Sequence, residues 1–146
     1  MADISIQPRT AYAGPYGGYG EYGGAAGVSA DGTKGAIGGA GYHVGPNGGV
    51  SAGAGFAAAG PNGAIGGFAG ATDNPYVSGS AKGGFAFNAA TGEFDSANSA
   101  QWTNKTTGES HSRSVEKNLQ LGQGGTISVT RDGVNQTYTI PPRPTE

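Results

Sequence analysis

Glycine occupies 31 of the 146 positions, about three times its usual share of roughly 7%, and leaves few side chains large enough to fill a core. Leu, Ile, Val and Phe together number 20, or 14% of the chain, and a share under about 20% ordinarily goes with disorder. Disorder of that kind normally comes with strong net charge, yet the formal charge here is only −2. A chain with neither a generous core nor mutual repulsion is left with backbone hydrogen bonding as its source of order, within a sheet or between molecules. Of the residues counted as hydrophobic, 22 are alanine, and a buried methyl group contributes only ~0.8 kcal/mol. Ordering a glycine costs more entropy than ordering any other residue. An isolated monomer is therefore expected to be modestly stable unless neighbours contribute.

The chain has no cysteine, which excludes disulfides and thiolate metal sites. The N-terminus, Met-Ala-Asp-Ile-Ser-Ile, shows neither the basic nor the apolar region of a signal peptide. No run approaches the ~18 apolar residues of a membrane helix. Two origins stay open: release by another route, as for virion parts, or a mature form renumbered after cleavage. The expected location is extracellular, or on a cell or virion surface.

Along the chain, residues 1–34 are expected to form a Tyr/Gly-rich arm and residues 35–146 a β-strand domain. The arm begins with a short strand-like stretch (Ile4, Ile6) ended by Pro8. Tyr16, Tyr19 and Tyr22 then recur every third residue, the period of polyproline II, which would line them along one edge to dock on a neighbouring subunit. Residues 35–72 carry no charge and contain two identical turn signals, Gly45-Pro46-Asn47-Gly48 and Gly60-Pro61-Asn62-Gly63. Proline presets φ for its turn position, asparagine tolerates the next, and glycine accepts left-handed geometry. Between them Val50, Ala52, Ala54, Phe56 and Ala58 alternate with glycine and serine, as in a strand with one apolar face. Residues 73–125 read as polar strands. Val77 to Phe87 alternates clearly, as does the segment from Glu109 to Leu121, which sets His111, Arg113, Val115, Lys117, Leu119 and Leu121 against a serine-rich face. Residues 126–140 form the clearest hairpin, with Asp132-Gly133 as its turn. Its register pairs Arg131 with Val134, Val129 with Gln136 and Ile127 with Tyr138. Pro141 and Pro142 stop the last strand.

Turn signals recur at intervals of about 15 residues. The fold class expected is all-β: an antiparallel meander or sandwich, with a β-solenoid as the alternative. The short repeat between Asn88-Ala89-Ala90-Thr91-Gly92-Glu93 and Asn104-Lys105-Thr106-Thr107-Gly108-Glu109 fits either. Gly32, Gly35, Gly38 and Gly41, then Gly60, Gly63 and Gly66, step by three. In this the chain resembles the polyglycine-helix bundles of some antifreeze proteins and phage fibre-tip adhesins, which implies such a bundle in the N-terminal half. In composition it is similar, at the level of class, to glycine-rich repetitive fibre- and matrix-forming structural proteins, which implies self-assembly.

Catalysis needs convergent titratable groups, and none is legible. His43 and His111 stand alone. The carboxylates are scattered, with no calcium-loop or paired-carboxylate spacing. No Gly-Lys-Ser/Thr follows the glycine-rich runs, and Ser110, Ser112 and Ser114 read as a solvated face. The expectation is no enzyme, no catalytic residue, no cofactor and no metal. Eight basic residues against ten acids make no stripe for nucleic acid. Glycosylation sequons stand at Asn104 and Asn135. The function expected is a structural subunit of a filament, coat or matrix, its partner being itself. It would assemble by edge-strand pairing and by stacking of Gly/Ala faces, with Val50, Phe56, Phe68, Phe85, Phe87, Phe94 and Trp102 as apolar anchors. The alternative is a binding module, such as a fibre-tip adhesin or an ice-binding surface. A surface or carbohydrate partner stays open.

Overall fold

Alternating residues and closely spaced turns give ten strands: β1 (Asp3–Ala13), β2 (Tyr19–Val28), β3 (Gly35–Val44), β4 (Val50–Gly60), β5 (Gly63–Asp73), β6 (Val77–Asn88), β7 (Glu93–Asn104), β8 (Ser110–Gln120), β9 (Gly124–Arg131) and β10 (Val134–Ile140). The structure is a computed structural model and describes residues 3–144. Each strand pairs antiparallel with the next in chain order, forming one open sheet. With ~4.8 Å between neighbours the sheet is roughly 43 Å across, and its longer strands run roughly 35–40 Å. The meander is therefore the architecture. It is a single layer, not a sandwich, and the solenoid and polyglycine-bundle alternatives do not occur: Gly35, Gly38 and Gly41 lie in β3 and alternate between its faces.

The stretch expected as an arm supplies β1 and β2. Tyr19 and Tyr22 fall on opposite faces because β2 is hydrogen-bonded to β3 over its whole length, so the period-three spacing does not align the tyrosines. Nor does Pro8 end the first strand. The β1–β2 register shifts between Gln7 and Thr10, and this bulge absorbs a residue without an N–H at the sheet edge.

The two Gly-Pro-Asn-Gly signals both turn the chain, but differently. After β3, Gly45 N–H donates to Gly49 (2.7 Å) and Gly48 N–H to Gly45 (3.0 Å), so pairing resumes only at Val44–Val50. After β4, Gly60 pairs directly with Gly63 across Pro61 and Asn62, because Gly63 takes φ 140° and enters the ladder at once. The final hairpin has the register that its sequence predicts, Arg131–Val134, Val129–Gln136 and Ile127–Tyr138. Asp132 and Gly133 sit at φ 47° and 84°, both left-handed as a two-residue turn requires.

A single layer encloses no core. No hydrophobic residue is buried among the described residues; the only buried positions are Gly18, Gly20, Gly66 and Gly92, each lying under a neighbour's side chain. A Cβ on Gly66 would strike the Phe85 ring, one on Gly20 the Tyr12 ring, one on Gly18 the His43 ring, and one on Gly92 the Leu121 side chain. In two of these cases the covering residue is the cross-strand partner: Tyr12 pairs with Gly20 and Phe85 with Gly66. Phe68 likewise leans over its partner Gly83, and Phe56 over Gly67. Aromatic rings lying on paired glycines replace side-chain packing between layers.

Candidate functional site: the faces and edges of the sheet

The continuous ladder assigns every strand residue to one of two faces. The Phe56 face carries Tyr19, Tyr42, Val50, Phe56 and Ile65 over β2–β5, among alanine and glycine. Over β6–β10 it becomes a field of hydroxyl and amide groups, including Ser80, Ser99, Gln101, Ser112, Ser114, Thr130 and Thr137. Some of these hydroxyls bond across strands: Thr103 with Ser110 (2.8 Å) and Ser128 with Thr137 (3.0 Å).

The opposite face, named for Trp102, holds the larger aromatic cluster. Phe68, Phe85, Phe87, Phe94 and Trp102 all lie on it, so the structure gathers five of the seven expected anchors and separates them from Val50 and Phe56. Phe85 and Phe94 stack with ring centroids 6.4 Å apart, and Trp102 meets His111 at 5.7 Å. Val115, Leu119, Ile127, Val129, Tyr138 and Ile140 extend the apolar area to β10. At one end Phe87, Phe94, Leu119, Leu121, Ile140 and Pro141 border an open apolar cleft of about 510 Å³. Tyr16 projects from the β1–β2 turn, 85% exposed, clear of both faces.

Charge divides as sharply as polarity. The strand acids Glu21, Asp73, Glu93, Asp95 and Glu116 lie on the Phe56 face, with Arg9, 3.9 Å from Glu21, and Lys82 as its strand cations. The strand cations Arg113, Lys117 and Arg131 lie on the Trp102 face, and no strand acid with a described side chain does. Arg113 and Arg131 stand directly opposite one another in the ladder, an arrangement that costs about 0.2–1 kcal/mol when nothing neutralises it. Both are exposed, and neither has an ion-pair partner among the described residues.

The two histidines are clasps in this geometry. His43 stacks on Tyr12 with centroids 5.7 Å apart. His111 Nδ1 lies 3.1 Å from Asp132 Oδ2, while Asp132 Oδ1 accepts the Ser112 N–H at 2.6 Å. The bond from Ser112, then that from His111, holds the Asp132 carboxyl below the usual carboxylate range. The hydroxyls of Ser110, Ser112 and Ser114 point to the other face from His111. Asp31, in the β2–β3 turn, accepts from the Ser29 hydroxyl, the Thr33 N–H and the Thr33 hydroxyl, and its pKa falls from 3.8 to about 2.

The edges differ. On β1 the outer ladder is interrupted by the bulge at Pro8 and Arg9. On β10 all seven residues are exposed and the register to β9 is unbroken. Beyond Ile140 the chain turns away, and Arg143 N–H donates to Gly122 O at 3.0 Å. Of the sequons, Asn135 lies on β10 with its amide donating to Thr130 Oγ1 at 2.9 Å. Asn104 opens the β7–β8 turn, its side-chain oxygen accepting from Thr106 N–H (2.9 Å) and Thr107 N–H (3.3 Å).

Sequence reading missed the covering role of Tyr12, which lies outside any obvious repeat, and the charge sorting, which is legible once strand parity is carried through every turn. No helix among the described residues is long and apolar enough to cross a membrane. Comparison with protein-family models, with curated proteins and with solved structures finds no match to this chain.

Proposed function

We propose that the chain is a non-enzymatic structural subunit that assembles with copies of itself into an extracellular filament, coat or matrix. One observation carries this reading. The accessible surface is 10014 Å², whereas a compact monomer of 14.3 kDa exposes about 6,800 Å². The excess, on the order of 3,000 Å², is the size of an obligate interface, and it includes exposed Phe56, Phe68, Ile37 and Ile65. A sheet with two open faces reaches an ordinary degree of burial only when something covers them.

The charge sorting favours stacking in one sense. Two Trp102 faces laid together would crowd arginine and lysine, and two Phe56 faces would crowd acids. A Trp102 face on the Phe56 face of the next copy sets Arg113, Lys117 and Arg131 over Asp95, Glu93 and Glu116 after a shift of about one strand across, ~4.8 Å, and about four residues along the strands, ~13 Å. It also relieves the facing Arg113 and Arg131. Such a contact is heterologous and does not close on itself, so it propagates. The test is electron microscopy of negatively stained protein over a concentration series, with sedimentation velocity alongside. Stacks or filaments that shorten as salt rises are the expected result; a monodisperse chain at every concentration overturns the reading.

The hydroxyl and amide field over β6–β10 favours a second reading, a binding module for a hydroxylated surface such as a polysaccharide. A glycan array probed with wild-type protein separates the two. Saturable binding by a monomeric chain would favour the module.

A further inference from the structure

We propose that two copies join through their β10 strands, antiparallel, about a two-fold axis at Thr137. This rests on the self-assembly reading and specifies a second contact within it, distinct from face stacking.

A two-residue hairpin turn makes Arg131 and Val134 a hydrogen-bonded pair, so Val134, Gln136, Tyr138 and Ile140 direct their backbone groups toward β9. Asn135, Thr137 and Thr139 direct theirs outward, away from the sheet. These N–H and C=O groups are a ready template for another strand. Residues 141–144 do not cover them, because the Arg143–Gly122 bond draws this segment toward the β8–β9 turn. The opposite edge, β1, is a poor partner because its bulge interrupts the register where Pro8 lacks an N–H.

The β10 sequence is complementary to itself in one register. Centred on Thr137, Asn135 meets Thr139 of the other copy and Thr137 meets its own counterpart, each pair exchanging two backbone bonds. The intervening positions set Val134 against Ile140 and Gln136 against Tyr138. Apolar then faces apolar, hydroxyl and amide groups face each other, and no like charges are opposed. A slip of two residues keeps the faces but forfeits pairs at one end to the Asp132-Gly133 turn and at the other to Pro141. The strand therefore measures its own register. The two-fold is perpendicular to the sheet, so both copies present the Phe56 face on the same side and stacking can proceed on the joined sheet.

Because the protein has no cysteine, single introduced thiols report this register. Thr137→Cys, whose counterparts would lie at a Cα separation of ~5.5 Å suited to a disulfide, is expected to oxidise to a species of twice the chain mass. Asn135→Cys alone is expected to stay single, and mixing it with Thr139→Cys should restore the cross-link. Thr137→Pro keeps the internal ladder, since that N–H points outward, and should halve the mass of the smallest assembled unit with the β circular-dichroism signal unchanged. If wild type assembles but Thr137→Cys cross-links no faster than Asn135→Cys, the two-fold edge is wrong and the self-assembly reading stands. If wild type stays at the mass of one chain at every concentration, both fall.

Discussion

Tyr12 stacks on His43 across an entire intervening strand, ring centroids 5.7 Å apart and planes within 5°. The strand between them presents Gly20 at that level of the ladder, and any side chain there would occupy the path of the tyrosine ring. Gly20→Ala would also press its Cβ into the Tyr42 carbonyl. It is expected to destabilise the chain by roughly 1–3 kcal/mol, as overpacking does, measured by urea denaturation at a concentration below assembly. Gly53→Ala is the converse. Its Cβ would meet the Ala69 carbonyl at 3.4 Å, an ordinary contact, so lost unfolded-state entropy should stabilise by about 0.4–1 kcal/mol.

The turns after β6 and β7 use one set of bonds twice. Asn88 Oδ1 accepts from Ala90 and Thr91 N–H at 2.9 and 3.3 Å, and Asn104 Oδ1 accepts from Thr106 and Thr107 N–H at 2.9 and 3.3 Å. Gly92 and Gly108 then turn at φ 71° and 76°. Asn88→Ala and Asn104→Ala should each cost on the order of 1 kcal/mol. Nearly equal midpoint shifts are the expected result, and a twofold difference would show that the turns are not equivalent.

Acid should loosen two turns before it unfolds the sheet. The pKa of Asp31 is held below its ordinary 3.8, at about 2, so its carboxylate stabilises the folded turn above about 3.8. That contribution is lost as pH falls toward about 2. Asp132 shifts in the same direction, so the clasp on Ser112 and His111 follows the same sense. Carboxyl-detected NMR titration with amide exchange at Thr33 and Ser112 checks both; an Asp31 midpoint at its ordinary value would contradict the turn geometry.

Reversing charge on one face should stop stacking. The triple substitution Arg113→Glu, Lys117→Glu, Arg131→Glu leaves two acids opposed, as the wild type leaves two arginines, so folding should survive. Assembly should fall sharply at low salt. It should return when the variant is mixed with a partner bearing Glu93→Lys, Asp95→Lys and Glu116→Lys, as read by light scattering.

Heat capacity reports the missing core. A globular domain of 146 residues unfolds with ΔCp of roughly 1.8–2.2 kcal/mol/K. The dispersed chain should fall well below that range in calorimetry, and move toward it at assembling concentrations. A normal value for the dispersed chain would mean that its apolar surface is already covered.

The local β signals were legible because each is carried by adjacent residues: Asp132-Gly133 fixed the last hairpin, and alternation placed Phe85 and Phe87 together on β6. Layer number was not legible, since the same alternation suits a sandwich and a single sheet; what differs is whether Phe56 and Phe68 meet a second layer. Tyr16, Tyr19 and Tyr22 misled because period three says nothing of hydrogen-bond partners, and β2 finds its partner in residues 35–44. The ring-on-glycine contacts depend on register between strands, which the turns set. The two Gly-Pro-Asn-Gly turns close differently, so identical letters gave no fixed count.

The four buried glycines invert the usual map of mutational harm. In a protein with a packed interior, damage comes mostly from shaving side chains down, and a conservative neighbour usually exists. At Gly18, Gly20, Gly66 and Gly92 nothing smaller is available, so every replacement is an enlargement and none is mild. The bulky residues, by contrast, stand at the surface, where truncating them would spare much of the hydrogen-bonded ladder and register chiefly as altered cohesion between molecules. A saturation scan that scores folding and assembly separately should divide the chain along that line, with intolerance for the first concentrated where the sequence has no side chain at all.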